Sequence, residues 1–150
     1  MSWAEALHDV DRVFLDTAPV IYFLERHPKY YEPMAGFFRF RAERHITVVT
    51  SPITLAECLV HPINRRLEPL VAAYKRLMLE AAETHFAVID AEAGEYASRI
   101  RVSMQIPLMD ALQIAVAVTS ECQAFLTNDK RLAKATDINT LVLDDCMIQG

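Results

Sequence analysis

Glycine is scarce in this chain: three in 150 residues. That scarcity excludes the Gly-rich loops that cradle phosphates, so neither a dinucleotide fingerprint nor a P-loop is available. Cysteine is equally sparse. Cys58, Cys122 and Cys146 are odd in number, far apart and without a CxxC pair, which argues for reduced core thiols in a cytoplasmic protein and against disulfides or a zinc site. His8, His27, His45, His61 and His85 are scattered, which disfavours a His-rich metal site. No apolar run approaches the ~18 residues of a membrane span. The start, Met1-Ser2-Trp3-Ala4-Glu5, lacks the basic-then-apolar order of a secretory signal. Basic charge is also short. With a formal net charge of −5, any nucleic acid has to be met by a local basic patch.

What is plentiful is apolar surface. Hydrophobic residues make up 53% of the chain and the mean hydropathy is +0.14. The length fits one domain over 1–150, large enough to bury a core. The apolar excess points to a subunit or partner interface.

Elements follow from periodicity and punctuation. Val13-Phe14-Leu15 reads as a buried strand, and Ala18-Pro19 opens a helix that stops before His27-Pro28. Tyr30, Tyr31, Met34, Phe37 and Phe38 recur at helical spacing, with Arg39, Arg41 and Arg44 off that stripe. The stripe reads as core or interface. Ile46 to Thr50 is a β-branched strand, and Ser51-Pro52 starts a helix that ends before Pro62. A longer helix over 65–83, a strand over 86–89 and a helix over 91–104 follow. Strands at 124–127 and 140–143 flank a short helix at 129–135. Strands alternating with helices across short connections imply an α/β fold, a parallel sheet covered on both faces.

The helix over 107–118 organises the rest. Between Leu108 and Val118 its only polar side chains are Asp110 and Gln113. A helix apolar on every face is buried, so an acid in its first turn is carried to the edge of the core, where the positive helix end favours it. Three other acids share that edge. Asp16 follows the first strand, Asp129 follows the strand ending at Thr127, and Glu57 lies in the second turn of the helix leaving strand 46–50. Ligands of open parallel sheets sit outside the carboxyl ends of the strands. Glu57 is surrounded in sequence by Ile53, Leu55, Ala56, Cys58, Leu59 and Val60, which places it in a turn with buried residues, an expensive setting for an isolated carboxylate. The plainer readings stay open: Asp16 and Thr17 cap the 18–26 helix, Asp129 caps the 130–135 helix, and Asp110 only complements a helix dipole.

If the four acids meet, they need help. Like charges about 4 Å apart repel by roughly 4 kcal/mol at an effective dielectric near 20. Either protons or cations relieve them. An all-oxygen set suits Mg²⁺ or Mn²⁺, and the chemistry that fits is phosphodiester hydrolysis.

The residues also resemble a known family. Leu15-Asp16-Thr17-Ala18-Pro19-Val20-Ile21-Tyr22-Phe23-Leu24-Glu25 resembles the opening motif of PIN-domain nucleases, especially the VapC-type toxin ribonucleases. Ser51 to Glu57 is similar to that family's second motif, Pro107 to Ala115 to its third, and Leu126 to Leu132 to its fourth. The resemblance implies a three-layer α/β/α architecture around about five parallel strands. It also implies a Mg²⁺- or Mn²⁺-dependent endoribonuclease, with Asp16, Glu57, Asp110 and Asp129 as catalytic residues and metal ligands. Thr17, Thr127, Lys130 and Arg131 are the residues assigned to the RNA substrate. Dimerisation and a small inhibitory antitoxin are further implications, and no membrane association is expected.

Two features depart from the family's pattern. Asn128 stands where relatives often carry arginine, and the acidic balance does not favour RNA. Lys130, Arg131, Arg65 and Arg66 are candidate compensators, each with a plain reading as a solvated helix-end charge. His61, at i+4 from Glu57, reads as a helix C-terminal cation rather than a ligand. The competing function is a catalytically inactive PIN-like module for RNA binding or assembly. A phosphoacceptor receiver domain ranks lower, because it wants adjacent acids after the first strand, where Asp16 is followed by Thr17 and Ala18.

Overall fold

Residues 1–135 and 137–146 are described by the computed structural model. Its sheet has five parallel strands: β1 (Arg12–Leu15), β2 (Thr47–Thr50), β3 (Thr84–Phe86), β4 (Ala124–Thr127) and β5 (Asn139–Val142), in the order β3-β2-β1-β4-β5. Val13 lies opposite Val48 and Ala124, and Phe14 opposite Val49 and Phe125. Successive side chains point to opposite faces, which builds two separate cores. Val13, Leu15, Val48, Ala124 and Leu126 join the first; Phe14, Val49 and Phe125 join the second. Burial on both sides is why these strands read as unbroken apolar runs.

The first face is covered by α1 (Trp3–Ala6), α2 (Thr17–Leu24), α3 (Tyr31–Glu43), α4 (Pro52–Asn64), α5 (Glu68–Lys75) and a π-helical turn at Arg76–Glu80. The second is covered by α6 (Ala91–Met104), α7 (Leu108–Thr119) and a 3₁₀ turn at Lys130–Lys134. This is the three-layer α/β/α arrangement expected from the alternation of elements. Beneath α7, Phe14 and Phe125 stack with ring centroids 5.3 Å apart and planes 3° from parallel. Such pairs contribute about 0.5–1.5 kcal/mol beyond the area they bury. Among the described residues no helix is long and apolar enough to cross a membrane.

Several boundaries differ from the sequence reading. Pro62 does not end α4 but lies inside it, buried on the same face as Cys58. Only one backbone bond near the end of the helix is lost to its ring, and burial of that face outweighs it. The helix stops instead at Arg65-Arg66, where Arg66 has a left-handed φ of 57°. The expected helix over 65–83 is accordingly shorter and ends in the π-turn. Strand β3 lies two residues early, because its partner β2 ends at Thr50, and Val88 beyond it is 76% exposed. Arg41 is buried rather than off the stripe: it follows Phe37 by one turn and donates from its guanidinium to the Ala82 carbonyl (3.0 Å). Helix α1 was not anticipated, although Ser2-x-x-Glu5 is a capping box, with Ser2 Oγ accepting from Glu5 N and Glu5 accepting from Ser2 N (both 3.1 Å).

Candidate active site

In the order β3-β2-β1-β4-β5, chain connections leave β1 toward one side and approach β4 from the other. That switch point opens a crevice at the carboxyl ends of the two strands. Asp16 leaves β1 there and Asp129 follows β4. A pocket of about 470 Å³ lies at this edge, lined by Asp16, Glu57, Asp110 and Asp129 with Thr17, Tyr22, Asn128 and Lys130 among their neighbours. All four predicted acids therefore line one pocket. Thr17, Thr127 and Lys130 line it too.

Asp16 is held on both oxygens. Its Oδ1 accepts from the Thr17 backbone N–H (2.9 Å) and its Oδ2 from the Thr127 hydroxyl (2.8 Å). It caps α2 as the plain reading held, and it faces the pocket as well. Burial pushes the Asp16 carboxyl above its ordinary value, with the charges of Glu57 and Asp129 adding to the rise; the bonds from Thr127 and Thr17 oppose it. Thr127 is fully buried, and its Oγ also accepts from Asp129 N (3.1 Å). Its hydroxyl is thus committed to orienting two acids.

Glu57 is not enclosed as its apolar neighbours in sequence suggest. Ala56, Glu57 and Val60 are all exposed, because α4 packs through Ile53, Thr54, Cys58 and Pro62. Glu57 instead leans over the open cleft, where Oε1 accepts from the Thr17 hydroxyl (3.1 Å). Thr17 thereby connects the two acids, its N–H on Asp16 and its hydroxyl on Glu57.

Asp110 stands in the first turn of α7, and its side chain is 27% exposed. Burial raises its carboxyl above the ordinary value, and Asp16 and Asp129 raise it further; Arg131 opposes the rise. Asp129 behaves in the opposite way. The Arg131 guanidinium grips it from Nε (3.0 and 3.2 Å) and Nη2 (2.6 Å), which holds this carboxyl below the usual range. The same Nη2 stands 3.8 Å from Asp110 Oδ2. Arg131, expected on the substrate, is here the counter-ion of two acids.

Behind the acids runs a polar chain that sequence reasoning did not assemble. Ser51 Oγ donates to Gln113 Oε1, Gln113 Nε2 donates to Thr54 Oγ1 (2.8 Å), and Thr54 Oγ1 donates to the Leu15 carbonyl (3.4 Å). All three side chains are buried. They tie α7 to the start of α4 and to the residue before Asp16. The signal was Gln113 itself, a polar residue in an otherwise apolar helix. Asn128 is also structural: its amide donates to Tyr22 Oη (3.3 Å), and its Oδ1 accepts from Asp144 N (3.0 Å). His61, Arg65 and Arg66 do not line the pocket; His61 lies in the last turn of α4, as read.

The donor set is all carboxylate oxygen, two members of which carry raised pKa values through burial and mutual repulsion. A hard divalent cation fits that chemistry. Among the described residues, however, no three acidic, histidine or cysteine side chains form a closed ligand cluster. The acids share a cleft and one arginine.

The fold is thus a small α/β domain in which four acids from separate parts of the chain line one cleft at the β1/β4 switch point. The chain belongs to the PIN domain family, which it matches over residues 13–138. Solved structures similar to it include DNA-bound VapBC from Salmonella typhimurium (17% identity, 87% of this chain and 97% of that one, TM-score 0.69). VapBC2 from Rickettsia felis, bound to a promoter DNA fragment, is similar at 16% identity, over 87% and 98% of the chains, with TM-score 0.66. Mycobacterium tuberculosis VapC20, a Sarcin-Ricin loop cleaving toxin, is similar at 19% identity, over 75% and 86%, with TM-score 0.60. At these identities the likeness is one of fold. No curated protein matches the chain.

Proposed function

We propose that this protein is a metal-dependent endoribonuclease, the toxin of a toxin–antitoxin pair. The observation that carries the reading is that Asp16, Glu57, Asp110 and Asp129, from four separate parts of the chain, line one pocket. Asp16, Glu57, Asp110 and Asp129 are the residues that would hold a Mg²⁺ or Mn²⁺ ion, which would supply the charge for activating water and stabilising the leaving oxygen of a phosphodiester. Thr127 and Thr17 fix the Asp16 carboxylate, and Thr17 also fixes Glu57. Asp110 is presented at the pocket by the first turn of α7, whose later turns are buried. Lys130, exposed on the pocket rim, offers a cation to a substrate phosphate.

RNA as substrate and an antitoxin as partner are supported by the kinds of protein that share the fold, among them a Sarcin-Ricin loop cleaving toxin and several toxin–antitoxin complexes. Val60 and Ile63 on α4 and Leu67 beyond its end are 68%, 58% and 42% exposed, apolar side chains that a partner or a second copy of the chain would cover.

The test is cleavage of structured RNA in Mg²⁺ or Mn²⁺ by the native protein, Asp16→Ala and Asp110→Ala. Cleavage by the native protein alone, abolished by chelator, supports the reading. Equal activity in all three would identify a contaminant. RNA binding without cleavage in any condition would leave the inactive module as the function.

A further inference from the structure

The hydrogen bonds around the pocket distribute the acids' acceptor capacity unevenly. A carboxylate offers about four lone-pair sites. On Asp129, Oδ1 receives Arg131 N (3.0 Å) and Nε (3.0 Å), while Oδ2 receives Nη2 (2.6 Å) and Nε (3.2 Å). Asp129 is therefore engaged by three N–H groups of a single residue two positions along the chain, with Nε–H shared between both oxygens. Asp16 has one partner on each oxygen, and Glu57 accepts on Oε1 from Thr17. Among the described residues Asp110 has only the longer approach of Arg131. Asp16, Glu57 and Asp110 keep more acceptor capacity open than Asp129 does.

Resting on the nuclease reading above, we propose that Arg131 is a built-in competitor of the divalent ion. Its guanidinium occupies Asp129 and extends toward Asp110, so a divalent ion gains Asp129 only by displacing Arg131. The side chain is 64% exposed, with its guanidinium against Asp129 and Asp110. A planar fork paired with a carboxylate on both nitrogens is a specific arrangement that lysine does not reproduce. Competition is reciprocal: whatever Arg131 takes from the ion's affinity, the ion takes from the Arg131–Asp129 pair. The displaced arginine would then be available to a substrate phosphate, which reconciles its expected role with its observed position.

The experiment is Mn²⁺ titration by calorimetry on the full chain, native, Arg131→Gln and Arg131→Lys, with circular dichroism to confirm folding. Arg131→Gln should bind Mn²⁺ at least about fivefold more tightly than native, the low end of inter-site coupling, and Arg131→Lys should fall between. In the native protein, saturating Mg²⁺ should shift the Arg131 Nε–H resonance in ¹⁵N NMR, a readout that does not depend on cleavage. Equal or weaker Mn²⁺ binding by Arg131→Gln, or an Nε–H resonance indifferent to Mg²⁺, overturns the competition and leaves the nuclease reading standing. Absence of Mn²⁺ binding in every variant, together with absence of cleavage, removes both.

Discussion

Thr127, the last residue of β4, donates its hydroxyl across 2.8 Å to Asp16, the first residue after β1. The two are 111 positions apart in sequence, yet neighbouring strand ends bring them together, with Leu15 opposite Leu126. The same oxygen accepts the Asp129 N–H. One buried hydroxyl thus sets the geometry of two acids.

Replacing Thr127 with valine should leave the half-buried Asp16 carboxylate without one of its two donors, at about 1–3 kcal/mol for an unsatisfied group. Urea denaturation should register that loss, and RNA cleavage should fall with it. Thr127→Ser retains the hydroxyl and should restore most of the activity. A valine variant as active as native would remove Thr127 from the positioning of Asp16.

Asp110→Asn should abolish cleavage while raising the melting temperature of the metal-free protein. Burial and the charges of Asp16 and Asp129 oppose ionised Asp110, so a neutral isostere relieves repulsion there. The trade of activity against stability is common at functional sites. A variant that melts lower than native would contradict the electrostatic picture of the pocket.

Stability should also depend on pH in a defined direction. Asp16 and Asp110 have folded-state values above the ordinary 3.8, so the folded chain binds more protons than the unfolded chain in that interval. Their contribution to stability is therefore full below 3.8 and is lost as pH rises through the raised values. Asp129, held low by Arg131, acts in the opposite sense: its contribution is present above 3.8 and is lost as pH falls through its depressed value. Denaturation midpoints of native protein and the Asp16→Asn/Asp110→Asn double variant, measured from pH 3 upward, check this. The curve of the double variant should decline less over the interval above 3.8.

Gln113→Leu should destabilise by about 1–3 kcal/mol, because the Ser51 and Thr54 hydroxyls lose a buried partner. Thr54 also holds the Leu15 carbonyl just before Asp16, so cleavage should weaken beyond the fraction of unfolded protein. Chemical denaturation paired with activity at a temperature where the variant is folded separates the two effects.

Strand order, by contrast with strand content, was never written in local sequence. Apolar runs such as Val13-Phe14-Leu15 and Ala124-Phe125-Leu126-Thr127, the Ser51-Pro52 helix start and the apolar helix around Asp110 were all legible, because period, propensity and capping are local properties. The acids at the ends of those elements were legible as candidates for the same reason. Whether they converge depended on β1 and β4 being neighbours at a switch point, which long-range packing decides. Packing also carried α4 through Pro62, buried Arg41 and left Glu57 leaning over open solvent. Each of these outcomes balances desolvation against a contact with a distant or flexible partner. No window of neighbouring residues contains both sides of that balance.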